Sequence, residues 1–63
     1  MDRKTVALNN EGITEALDFV SDTLKRYKQH SKTVYETMLL TEETMVRLMA
    51  AATGNETVKI KIM

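Results

Sequence analysis

Apolar positions along this chain fall into two helical stripes flanked by two short alternating runs. The first run, Lys4 to Leu8, predicts a strand with Val6 and Leu8 on one side and Thr5 and Ala7 on the other. Asn9-Asn10-Glu11-Gly12 has turn chemistry, and one of these residues should cap the helix that comes next. In that helix Ile13, Ala16, Leu17, Val20, Leu24 and Tyr27 keep the i, i+3, i+4, i+7 spacing of one apolar face. Phe19 lies at the edge of that stripe. Glu15 and Asp18 stand near the start of this helix and Lys25, Arg26 and Lys28 near its end, an order that complements the helix dipole.

Gln29-His30-Ser31 breaks the pattern, with Ser31 the expected N-cap of a second helix. On that helix Val34, Met38, Thr41, Met45, Leu48 and Ala52 share a face. Leu39, Val46 and Met49 widen it, which predicts burial over a broad arc. Thr41-Glu42-Glu43 also resembles a helix start, but without proline a single long helix is expected. Thr53-Gly54-Asn55 should end it, Gly54 suiting a left-handed cap. From Thr57 to Met63 the chain alternates, with Val58, Ile60 and Ile62 on one side and Lys59 and Lys61 on the other. The expected architecture is one α+β domain over residues 1–63, in two layers and β-α-α-β order, with both helices on one face of a small sheet.

Size makes that architecture incomplete. A chain of 63 residues hides only about 60% of the surface it exposes when unfolded. A single core of this size seldom supplies more than about 3–5 kcal/mol. No cysteine is present to form a disulfide or a thiolate zinc site. Two strands alone are marginal, and a strand edge with unpaired N–H and C=O groups recruits another strand. A homo-oligomer, a dimer above all, is therefore expected to complete the sheet. Val58, Ile60 and Ile62 are its expected interface, with Met45 and Met49, whose flexible thioethers suit an adaptable contact.

Charge and composition narrow the function further. Nine basic residues balance nine acidic ones, so no net field draws in nucleic acid or an anionic membrane. No apolar run approaches the about 18 residues of a membrane span. The opening residues Met1-Asp2-Arg3-Lys4-Thr5 do not lead into a signal peptide's apolar stretch, which makes the cytoplasm the expected compartment. Glu42 and Glu43 point about 100° apart on a helix and do not converge on one substrate atom. His30 is the only histidine; it is expected in the inter-helix loop, without partners for a metal site or a nucleophile. Lys25, Arg26, Lys28, His30 and Lys32, with Tyr27 among them, form a basic cluster that reads as dipole compensation and solvation. Neither a cofactor nor a catalytic centre is expected.

The run Met38-Leu39-Leu40-Thr41-Glu42-Glu43-Thr44-Met45-Val46-Arg47-Leu48-Met49-Ala50-Ala51-Ala52, followed by Gly54 and Val58-Lys59-Ile60-Lys61-Ile62, resembles the N-terminal half of histidine-kinase-type (GHKL) ATPase domains. The anti-sigma-factor branch is the nearer likeness. The resemblance implies that Glu43 occupies the position of the family's water-activating glutamate. It also implies that Arg47 stands where the family places its magnesium-binding asparagine. Arginine offers only donors and a positive charge, so it cannot coordinate a hard cation. The family's glycine-containing nucleotide boxes would lie beyond Met63. The function this implies is that of a non-catalytic regulatory or interaction module, self-associating and equivalent to half of such a domain. Two alternatives stand beside it: a nucleotide-binding protein whose pocket is completed across a homo-oligomer, and a designed mini-domain without activity.

Overall fold

A computed structural model describes residues 2–53 and 55–62. The element order is β-α-α-β: β1 (Asp2–Ala7), α1 (Asn10–Arg26), α2 (Ser31–Ala50) and β2 (Thr57–Ile62). The strands pair antiparallel, with Asp2 opposite Ile62, Lys4 opposite Ile60 and Val6 opposite Val58. Both helices lie on one side of this two-stranded sheet, the α+β arrangement that the sequence predicts. The expected cap at Gly54 and the last strand position, Met63, lie outside the described residues.

The chain turns from β1 into α1 through an Asn9 cap, whose Oδ1 accepts the Gly12 N–H at 2.8 Å. The innermost line of α1 is Gly12, Ala16, Val20 and Thr23, all buried. Ile13, Leu17 and Leu24 flank this line and are only half-buried. Small residues on the line let the helix settle closely onto β1. At Gly12 the approach is so tight that a Cβ would lie 1.6 Å from the Ala7 carbonyl oxygen. The core gathers Val6, Leu8, Ala16 and Met45, with Ile13, Met49, Ala52, Val58 and Ile60 packed against it.

The far end of α1 is latched to the start of β1. The Tyr27 hydroxyl donates to Asp2 Oδ2 at 2.6 Å, and Arg26 Nη2 lies 3.9 Å from the other Asp2 oxygen. The same guanidinium donates to the Thr23 hydroxyl at 3.3 Å, satisfying the one buried polar side chain among the described residues. The hydrogen bond to Asp2, together with that carboxylate's charge, raises the Tyr27 phenol above its usual value. The chain then reverses at Lys28, whose φ of 58° is left-handed, a conformation costing a non-glycine residue about 1 kcal/mol.

Several boundaries differ from the sequence reading. β1 begins at Asp2 rather than Lys4. His30, not Ser31, takes the N-cap position of α2, and it makes no side-chain cap hydrogen bond. α2 runs unbroken, as expected, but stops at Ala50 with Ala51 as its cap. Thr41 donates back to the Thr37 carbonyl at 2.8 Å, the local bond expected of a threonine on that face. The predicted broad burial of α2 is not found. Only Val34 and Met45 are buried on this helix, while Leu39, Val46 and Leu48 stay 47%, 53% and 44% exposed. The reason is geometric: α2 leans on α1, and its backbone comes close to neither strand.

Glu56 organises the connection into β2. Its two carboxylate oxygens accept the Thr53 N–H at 3.0 and 2.8 Å. One of them also accepts the Thr53 hydroxyl at 2.9 Å and the Asn55 N–H at 3.0 Å. The bonds from Thr53 and Asn55 hold the Glu56 carboxyl below its usual value. Its own carbonyl accepts the Leu8 N–H at 3.0 Å, extending the β1–β2 ladder.

These contacts have two measurable outcomes. Gly12→Ala gains up to about 1 kcal/mol of helix propensity, but a methyl group driven into backbone costs about 1–3 kcal/mol or more. The substitution should therefore lower the urea midpoint; an unchanged or higher midpoint contradicts the close approach. A carboxyl held below its unfolded value stabilises the fold above that unfolded value, and the contribution disappears as pH falls through the depressed folded one. Acid titration of Glu56→Gln, followed by circular dichroism, should thus show a shallower loss of stability below the usual glutamate range than the parent chain.

Candidate interaction surface

The pairing of β2 decides which of its groups are spoken for. Hydrogen bonds in an antiparallel pair join alternate opposed residues. Because Leu8 and Glu56 are bonded, the register makes Val6–Val58, Lys4–Ile60 and Asp2–Ile62 the bonded pairs. The N–H and C=O groups of Thr57, Lys59 and Lys61 consequently point the other way, to the free edge of β2. Their side chains, with those of Arg3, Thr5 and Ala7, occupy the sheet face away from the helices. Val58, Ile60 and Ile62 face the helices and are half-buried.

Above that free edge α2 overhangs. Leu40, Thr41, Thr44, Met45 and Leu48 of α2 and Val58, Lys59 and Ile60 of β2 line a groove of about 290 Å³, with Thr37 at its end. Leu40 is 65% exposed on its rim, and Met45, 2% exposed, forms its floor. Apolar pits thus run beside a row of unpaired backbone donors and acceptors. Beneath, the outer sheet face carries Arg3, Lys59 and Lys61, with Arg3 directly opposite Lys61. Like charges so placed repel. None of the three forms an ion pair among the described residues.

A second cleft, of about 300 Å³, lies between α1 and β1 and is lined by Lys4, Glu15, Asp18, Phe19, Asp22, Thr23 and Arg26. Its charged groups lie at the surface, and Arg26 is already engaged with Asp2 and Thr23. Among the described residues no group of three histidine or acidic side chains is placed to hold a metal ion. Nor, among them, is any helix long and apolar enough to cross a membrane.

The residues singled out from the sequence fall in different places. Glu43 and Arg47, the positions matched to the ATPase motif, pair with each other at 2.7 Å on the solvent side of α2, and neither lines the groove or the α1–β1 cleft. Of the five expected interface residues, Val58, Ile60 and Met45 do line the groove, whereas Ile62 and Met49 do not. Met45 is a core residue that the groove reaches only at its floor. His30 and the neighbouring basic residues lie at the surface. Of the groove's α2 wall, Thr41, Met45 and Leu48 belong to the stripe read from the sequence, whereas Thr37, Leu40 and Thr44 were missed. Their signal was the spacing of Thr37, Leu40 and Thr44, a helical line beside the main stripe that runs on into Leu48.

Chemically, this surface offers hydrogen-bonding backbone, apolar pits and positive charge side by side, which is a binding arrangement. Compared with known proteins, the chain matches no family model, and no curated protein or solved structure is significantly similar to it.

Proposed function

We propose that this chain is a non-catalytic interaction module that docks another polypeptide along the α2–β2 groove, a second copy of itself in the simplest case. The observation that carries the reading is the apolar groove beside the unpaired edge of β2. Such edges bind by strand addition, backbone hydrogen bonds giving affinity and side-chain pits giving selectivity. Kinship with the first half of an anti-sigma-type ATPase domain belongs to the same proposal. In it the scaffold is kept, and Glu43 and Arg47 neutralise each other where the family would handle magnesium and water.

Self-association through this surface brings Lys59 and Lys61 of two copies together on one sheet face. Screening shortens the reach of that repulsion to about 3 Å at 1 M salt. Sedimentation should therefore show a mass that rises with protein concentration and rises further with added salt. Leu40→Gln with Leu48→Gln, both at exposed positions, should reduce the association while the helical signal persists. A monomer mass at every concentration and salt level would falsify self-association.

A nucleotide-binding role makes a different forecast. A ligand held at 100 times its Kd adds about 2.7 kcal/mol of stability. Millimolar ATP with Mg²⁺ should leave the thermal midpoint of this chain unmoved, and an upward shift favours the nucleotide-binding alternative over the docking module.

A further inference from the structure

We infer that the preferred occupant of the groove is an extended segment in which apolar and acidic residues alternate, added antiparallel to the free edge of β2. The inference rests on the docking reading above and names its partner's chemistry. Two independent features of β2 fix the pattern. On the helix side, Val58 and Ile60 continue into pits walled by Leu40 and Leu48, so every second residue of the incoming strand meets apolar surface. On the opposite side, the intervening residues come to lie beside Lys59 and Lys61, with Arg3 one strand further. These three cations have no ion-pair partner among the described residues, and opposite charges directly across a ladder attract. A second copy of β2 meets the apolar requirement but sets lysine beside lysine. An acidic strand meets both.

The ladder adds a constraint on the partner's backbone. Thr57, Lys59 and Lys61 present the free N–H and C=O groups, and in antiparallel pairing their bonds go to the residues directly opposite. Those are the acidic positions. The amides of the apolar positions point away from β2 and are free to be altered.

A synthetic peptide alternating valine with glutamate tests this, against two controls that alternate valine with lysine and valine with threonine. Titration into the ¹⁵N-labelled chain should slow amide exchange at Thr57, Lys59 and Lys61. The glutamate peptide should bind about tenfold or more tighter than either control, and added salt should weaken it, opposite in sign to self-association. N-methylation of the glutamate amides should abolish binding, and N-methylation of the valine amides should not. The variant Lys59→Gln with Lys61→Gln, altered only on the exposed face, should erase the preference for glutamate. Equal binding of all three peptides refutes the acidic pattern and leaves the groove reading standing. If no peptide binds and the Leu40→Gln, Leu48→Gln chain sediments like the parent, the groove reading itself fails. A single-stranded oligonucleotide that binds more tightly than the glutamate peptide overturns the inference in favour of a nucleic-acid surface.

Discussion

A sheet of two strands is about as wide as one helix. Strands lie about 4.8 Å apart, and a helix with its side chains is about 10–12 Å across. This chain lays two helices over such a sheet. α1 takes the position above β1, and α2 is left to lean on its neighbour with its flank over open space. Most of the molecule's remaining features stem from that shortage of floor. Leu40 and Leu48 are uncovered because no strand lies beneath them. Met45 and Met49 reach the core by side chain rather than by backbone approach to the strands.

The covered half is built by the opposite means. Gly12 and Ala16 bring α1 down until backbone meets backbone, and large side chains are displaced to the flanks of the helix. Asp2 then ties the other end of α1 to β1 through Tyr27 and Arg26. One helix is thus fixed at both ends, by steric closeness at Gly12 and by a polar latch at Tyr27. The second helix has neither device. Tight and loose halves sit side by side, and the loose half is where a partner has room to add contacts without displacing existing ones.

The elements were legible because each carries its own period. Val6 and Leu8, the α1 stripe and the Val58-Lys59-Ile60-Lys61-Ile62 alternation each announce a local structure that needs no knowledge of its neighbours. Limits were less legible. His30 replaces Ser31 at the α2 cap because the chain has already reversed at Lys28, and no local rule places that reversal. The width of the buried face on α2 was misjudged for a different reason. Apolar residues at Leu39, Val46 and Leu48 record what the helix is able to bury, whereas burial itself depends on how much sheet lies underneath. Thr23 shows the converse: a polar residue on the innermost line of α1, made acceptable by a guanidinium one turn away. The free groups of β2 came into view only with the register, since the sequence alone leaves either parity open.

Met45 joins the core to the floor of the groove, and its sulfur chemistry gives that position a second meaning. Conversion of a thioether to a sulfoxide replaces a soft apolar group with a polar one that has no place among Val6, Leu8 and Ala16. While the helices stay docked, 2% exposure shields this residue from peroxide. Oxidative damage at Met45 therefore accumulates only during excursions in which α2 lifts from α1, and once made it disfavours their return. The helix with the least beneath it thus holds the residue whose oxidation would mark how often the fold comes apart.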